Sequence, residues 1–150
     1  MEVPGKDLPF PMPFWERLVL LLLVTVLVYV LSLLASLEPD PRGMGTHEQL
    51  GMAPCSWPIQ YDMPCPTCGV TTSAVALLHL DPLTAFRIQP FGALFTLAGI
   101  WFGLLALRHV VRGRSLFARM AFWPWSWILV TATVVLLGSW SWKIAVFRAG

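Results

Sequence analysis

From Leu18 to Leu37 the chain reads LVLLLLVTVLVYVLSLLASL, twenty positions without a charge. Twenty residues of helix cover about 30 Å, the hydrocarbon thickness of a bilayer, so this run predicts a first membrane span. A cleavable secretory signal has a shorter apolar core followed by small residues, and Leu33, Leu34 and Leu37 stand where the small ones belong. The run therefore reads as an uncleaved anchor. Glu38-Pro39-Asp40-Pro41 ends it, because proline lacks an amide donor and disfavours helix in the residue before it.

A second uncharged stretch, Phe91 to Leu107, follows Pro90 and stops at Arg108, whose long side chain reaches headgroup level. Along it Gly92, Thr96, Gly99, Gly103 and Ala106 recur at steps of four, three, four and three. That spacing lines small groups along one helix face, where the backbone of a membrane partner or of a second copy can approach closely. Glycine is also simply frequent in membrane helices, and both readings stay open. A third span is expected within 120–142, its uncharged helix running from Trp125 to Trp142 with Pro124 at the first helical turn. Trp123, Trp125 and Trp127 at one end and Trp140 and Trp142 at the other mark the two bilayer interfaces.

The apolar run from Gly69 to Leu80 is different: twelve residues make about 18 Å of helix, too little to cross. A re-entrant or interfacial half-helix is expected there. Pro66 suits its first position, which would make Cys65 the N-cap and put Cys68 in the first turn. Asp81 can cap a further short helix that has Pro82 in its first turn, and Pro90 separates that helix from the second span.

Composition agrees with this pattern. Apolar residues make up 57% of the 150 and charged residues 12%, too apolar for a soluble globule, so the lipid bilayer is the first implied partner. A net charge of +2 does not point to nucleic acid. The 108–119 loop carries Arg108, Arg112, Arg114 and Arg119 with no acid, which predicts a cytoplasmic loop. With three spans in a single membrane domain, the 1–17 tail with Lys6 and Arg17 falls on the same side. The 38–67 loop and the 68–90 helices face away from the cytoplasm, and 143–150 is a tail. Five acids against two bases over 38–90 agree with that orientation.

Candidate chemistry concentrates between Glu38 and Cys68, which holds all three cysteines, three of six methionines and six of thirteen prolines. Cys65-Pro66-Thr67-Cys68 at a helix start suits a dithiol redox centre, because amide donors and the helix dipole stabilise a thiolate. No strand pattern precedes it, as one does in thioredoxin-like units. Cys65, Cys68, Cys55 and His47 also form a candidate ligand set for zinc or copper, with Met44, Met52 and Met63 nearby in sequence. A third reading is structural: a static bridge, or buried small side chains that shape the turn. His79 reads as an interfacial histidine, and Thr71, Thr72 and Ser73 as hydroxyls bonded to their own helix. The chain has no paired carboxylates, Ser-His-Asp set, phosphate loop or HExxH, so an enzyme of those classes is not expected.

The stretch CPTCGVTTS followed by LLHLDPLTAFRIQP resembles the domain of unknown function 2752 family of small bacterial membrane proteins. The matching positions are Cys65, Pro66, Cys68, Gly69, Thr71, Asp81, Ala85 and Pro90. The resemblance covers about residues 50 to 140. Many members have arginine where this chain has Thr72 and glycine where it has Leu80, so an anion-pairing role for that arginine does not transfer. The resemblance implies a multi-span protein of the bacterial cytoplasmic (inner) membrane with the cysteine motif beside a short helix. It brings no activity with it.

The expected protein is thus an all-α integral membrane protein with three spans and one half-helix. It is read first as a scaffold or accessory subunit whose cysteine turn is locked by disulfide or metal. Thiol-disulfide exchange by Cys65 and Cys68, and copper or zinc handling, are the alternatives.

Overall fold

The computed structural model describes residues 10–149, so Lys6 of the expected cytoplasmic tail lies outside them. Among the described residues the chain is helical and no strand forms. The order is α1 (Phe14–Ala35), a 3-10 turn (Thr46–Leu50), α2 (Trp57–Tyr61), α3 (Val70–Leu78), α4 (Pro82–Ile88), α5 (Pro90–Arg112), α6 (Leu116–Met120) and α7 (Trp125–Ala149). Helices α1, α5 and α7 are each long and apolar enough to cross a membrane. Their outward faces carry large apolar groups, Leu22, Leu104 and Val134 among them, as lipid-facing surfaces do.

Helix α1 runs antiparallel to α5. At one end Leu20 packs against Ala106, Val110 and Leu116, and at the other the Ala35 carbonyl accepts from His79 Nε2 at 3.2 Å. The small-residue face of α5 is used within the chain. A Cβ on Gly92 would lie 2.9 Å from Val70 Cα, and one on Gly103 would lie 2.7 Å from Leu27 Cδ2. Gly99 also faces Leu27. The close approach that the spacing predicts is therefore made by α3 and α1. The expectation of a close approach on that face is thus met, at Gly92 and Gly103, by the chain's own helices.

The short helices start and stop where local chemistry directs. Asp81 Oδ1 accepts from Thr84 N at 3.0 Å, Pro82 opens α4, and Pro90 opens α5. The start of α3 differs from expectation. Its N-cap is Gly69, at φ 87°, so Cys65 is not the cap, Pro66 is not its first residue and Cys68 lies just outside it. Residues 65–68 instead make a separate turn closed by Cys68 N donating to the Cys65 carbonyl at 3.0 Å. A left-handed residue cannot continue a right-handed helix, and a Cβ here would sit 2.6 Å from the Gly43 carbonyl oxygen.

Three helices outrun their uncharged runs. Helix α5 passes Leu107 and continues through Arg108 to Arg112, because arginine side chains reach outward from a helix end, so the expected 108–119 loop is instead the end of α5, a short turn and most of α6. Helix α1 begins at Phe14 rather than Leu18 because Glu16, 1% exposed, turns inward. Its Oε1 accepts from Leu116 N at 2.7 Å and Phe117 N at 3.0 Å, satisfying the open amides that start α6. Helix α7 begins at Trp125 and continues through Lys143, which is 6% exposed. The start of the 120–142 segment, ahead of that helix, instead forms the end of α6 and the turn that leads to Pro124.

Candidate functional site

The cysteines lie on two stretches of proline-rich loop, Pro54-Cys55 before α2 and Pro64-Cys65-Pro66-Thr67-Cys68 before α3. Proline limits the backbone of both, and hydrogen bonds from Gln89 and from α7 tether the second stretch and the loop beside it. Trp140 Nε1 on α7 donates to the Pro64 carbonyl at 2.9 Å, and Gln89 Nε2, between α4 and α5, donates to the Pro66 carbonyl at 3.0 Å. Lys143 Nζ donates to the Gly43 carbonyl at 2.8 Å, which holds the 38–45 segment against Gly69. Below the turn, the Thr46 and Thr72 hydroxyls meet at 2.9 Å. Ser73 Oγ lies 2.8 Å from the Ala85 carbonyl and 2.9 Å from that of Gln89, sharing its one proton between them. Gln89 Oε1 is buried without a hydrogen-bond partner among the described residues.

This scaffold gathers all three sulfurs. Cys65 Sγ is 3.1 Å from Cys68 Sγ, Cys68 Sγ is 3.8 Å from Cys55 Sγ, and all three lie within 4.8 Å of one another as free thiols. Cys65 N donates to Cys68 Sγ at 3.3 Å, and Thr67 Oγ1 lies 3.5 Å from Cys65 Sγ. The two motif thiols differ. Burial, reinforced by the neighbouring Cys65 sulfur, pushes the Cys68 thiol up to about 12. Burial alone would raise Cys65 as well, but hydrogen bonds from Thr67 and Cys68 outweigh it and hold Cys65 below the ordinary thiol value.

The three cysteines line one side of a cleft of about 580 Å³. His47, Met44 and Glu48 line it too, as does Thr71 of the motif. His47, expected with the sulfurs as a ligand, shares the cleft but does not belong to the three-atom cluster. Glu48 is engaged by Arg42 at 3.1 Å, and Arg42 also holds Asp40 at 2.8 Å. The Arg42 guanidinium keeps the Asp40 carboxyl below the usual range, chiefly through their hydrogen bond. Asp81, Pro90, Gly92, Gly99 and Gly103 serve helix starts and helix packing and lie outside the cluster.

Sulfurs in this arrangement suit a soft ion. Zinc–sulfur bonds of about 2.3 Å in a tetrahedron place sulfurs about 3.8 Å apart, close to the spread seen here. Each thiol must give up its proton to bind, and a metal supplies the charge that makes this favourable.

Sequence reasoning missed the polar supports. Thr72 and Ser73 bond across elements rather than to their own helix, Lys143 was assigned to a tail, and Gln89 carried no expectation. Ser139 and Lys143, one helical turn apart and both buried, carried a signal that could have found the α7 supports. Ser139 Oγ accepts from Phe91 N at 3.0 Å on the same side of α7.

Searches of curated proteins and of solved structures find no significant match. The family match is shorter than the resemblance suggests, ending inside α5, but it contains all three cysteines, α2, α3 and α4. Residues 55–103 match the model of the family described as "Protein of unknown function (DUF2752)", the family that the Cys-Pro-x-Cys-Gly stretch resembles.

Proposed function

We propose that this is a small membrane protein that binds one soft metal ion, Zn²⁺ or Cu(I), through the thiolates of Cys55, Cys65 and Cys68. The ion locks the cysteine-bearing end of a membrane scaffold or accessory subunit. The observation that carries this reading is the convergence of three sulfurs within 4.8 Å on a cleft, drawn from loops thirteen positions apart. A purely structural Cys-x-x-Cys turn has no use for Cys55. The four arginines of the 108–119 segment, at the end of α5 and in α6, support an orientation with that end in the cytoplasm and the thiols on the far side, in the cytoplasmic membrane of a bacterium.

Protein purified in detergent without chelator and analysed for metals tests the proposal. One equivalent of zinc or copper is expected, falling at least tenfold in Cys55→Ser and Cys68→Ser. Protein that stays folded, keeps its thiols free and binds neither metal on reconstitution would overturn it.

The contrast between Cys65 and Cys68 favours a second reading, thiol-disulfide exchange. The Cys65 thiolate would attack an external disulfide and expel one thiolate. Cys68 would then lose its proton and close on the mixed disulfide, expelling the second, so that the substrate is reduced and the pair oxidised. This reading predicts a mixed disulfide trapped in Cys68→Ser. It leaves Cys55 dispensable, whereas metal binding does not.

A further inference from the structure

We propose that the metal centre is completed from outside the chain, its fourth position taking a small thiol that enters through the cleft. This rests on the three-thiolate reading and names what the site binds. Zinc in protein sites is almost always four-coordinate, and a centre with three protein ligands leaves one position for water or substrate. Among histidine, cysteine and carboxylate side chains, the described residues supply three clustered donors.

Met44 lines the cleft with a thioether, which carries no charge and competes poorly with a thiolate for a zinc-like ion; the remaining polar groups nearby are committed elsewhere or stand apart. Glu48 and Asp40 are held by Arg42, and the Thr67 hydroxyl is directed at Cys65 Sγ. Lys143 Nζ is spent on backbone carbonyls. His47, on the 3-10 turn, is outside the group of atoms within 4.8 Å.

The space beside the sulfurs supports the same conclusion. A cleft of about 580 Å³ exceeds a single water's share of liquid volume, about 30 Å³, many times over. Its walls include Pro54, Pro58, Ile59 and Val70, which offer apolar contact to the carbon body of a ligand. A soft ion on three thiolates prefers a soft fourth donor, and a small thiol supplies both the sulfur and an apolar stem. Binding forms one metal–sulfur bond and releases the thiol proton and any water held at that position. No electron is transferred.

Cobalt reports on this directly, because thiolate-to-cobalt absorption grows with the number of sulfur ligands. The full chain in detergent, kept reduced with a phosphine, is loaded with Co²⁺ and titrated with 2-mercaptoethanol. The ultraviolet charge-transfer band is expected to rise by about a third, as three thiolates become four, and to saturate with the tetrahedral visible bands retained. His47→Ala is expected to show the same starting spectrum and the same rise.

A spectrum that saturating thiol leaves unchanged would overturn the proposal, as would a starting spectrum altered by His47→Ala, which would make histidine the fourth ligand. Release of the cobalt into the filtrate on adding thiol would also overturn it. Absence of any thiolate-to-cobalt band before thiol is added would sink the underlying three-thiolate reading itself.

Discussion

A buried acid ties one end of the bundle and a buried lysine the other, in opposite senses. At the arginine-bearing end, Glu16 of α1 accepts from two amides at the start of α6. Around it Leu20, Ala106, Val110 and Leu116 close on one another, and the Trp15 and Phe117 rings meet at 5.8 Å. At the cysteine-bearing end, Lys143 of α7 donates to the carbonyls of Gly43 and Ile88. Its neighbours are the 38–45 loop, Gly69 and the end of α4, and the adjoining α3 buries small or polar side chains at Thr72, Ser73, Ala74, Val75 and Ala76. Aliphatic side chains at the first end pack into one another. Prolines, glycines and single hydrogen bonds at the second hold backbone in irregular shapes, and the cleft with the sulfurs lies among them. The difference leaves one end closed by side-chain packing and the other open around the sulfurs.

Breaking the closed end should have the largest effect on stability. Glu16→Ala leaves the Leu116 and Phe117 amides without partners, a loss of about 2–5 kcal/mol at the cost usual for buried unpaired donors. Unfolding in mixed micelles measures it. Metal content is expected to persist while the protein is folded, because the cysteine end has its own supports. Simultaneous loss of metal at full folding would show that the two ends are coupled.

Gly69→Ala should break the open end. The position requires φ 87° and the new Cβ would fall 2.6 Å from the Gly43 oxygen, so about 1–3 kcal/mol is lost and the Cys68 turn shifts. Metal stoichiometry is expected to drop with α1 and α5 still docked, as read by crosslinking a Leu20→Cys and Val110→Cys pair in a background lacking the native cysteines. Lys143→Met should act in the same direction more weakly. It leaves the Gly43 carbonyl without its Nζ donor and costs about 1–2 kcal/mol. Faster alkylation of Cys55 and Cys68 would be the readout.

The smallest effect sharpens the contrast within the open end itself. Thiolate, not thiol, reacts with iodoacetamide, so a lowered value moves labelling to lower pH and a raised one moves it higher. Cys65 labelling is therefore expected to level off below the pH of an ordinary thiol. Cys68 should still be gaining rate beyond pH 10, since its thiol keeps its proton to about 12. Mass spectrometry of metal-free protein labelled across a pH series separates the two. Equal profiles for both cysteines would remove the support for disulfide exchange.

Much of the scaffold was legible in the residues. Leu18 to Leu37 carries no charge, so its helical character and membrane length follow from local pattern, and Asp81-Pro82 and Pro90 announce helix starts through side-chain chemistry that acts within one turn. The α5 glycines foretold a close approach but not which helix makes it, because small size permits contact without naming a partner. Glu16 and Lys143 sat just outside the uncharged runs, where charge normally ends a span, and their burial depends on amides and carbonyls far away in sequence. The start of α3 was misplaced because Pro66 fits a first helical position on its own, while Gly69 is held left-handed by the Gly43 backbone pressed against it.

The sequence by itself determined a helical chain with three helices long and apolar enough to cross a membrane, and a helix next to the Cys-Pro-x-Cys motif too short to do so. Those properties follow from apolar length, proline stereochemistry and capping, all of which act over a few residues. Only the tertiary structure decided that Cys55 joins Cys65 and Cys68, that His47 stays apart, and that a lysine from the last helix holds the loop in place. The reason is distance along the chain. Loops of this kind have no period to read, and the chain around the sulfurs is held by hydrogen bonds from Gln89, between α4 and α5, and from Trp140 and Lys143 of α7 that no local pattern encodes.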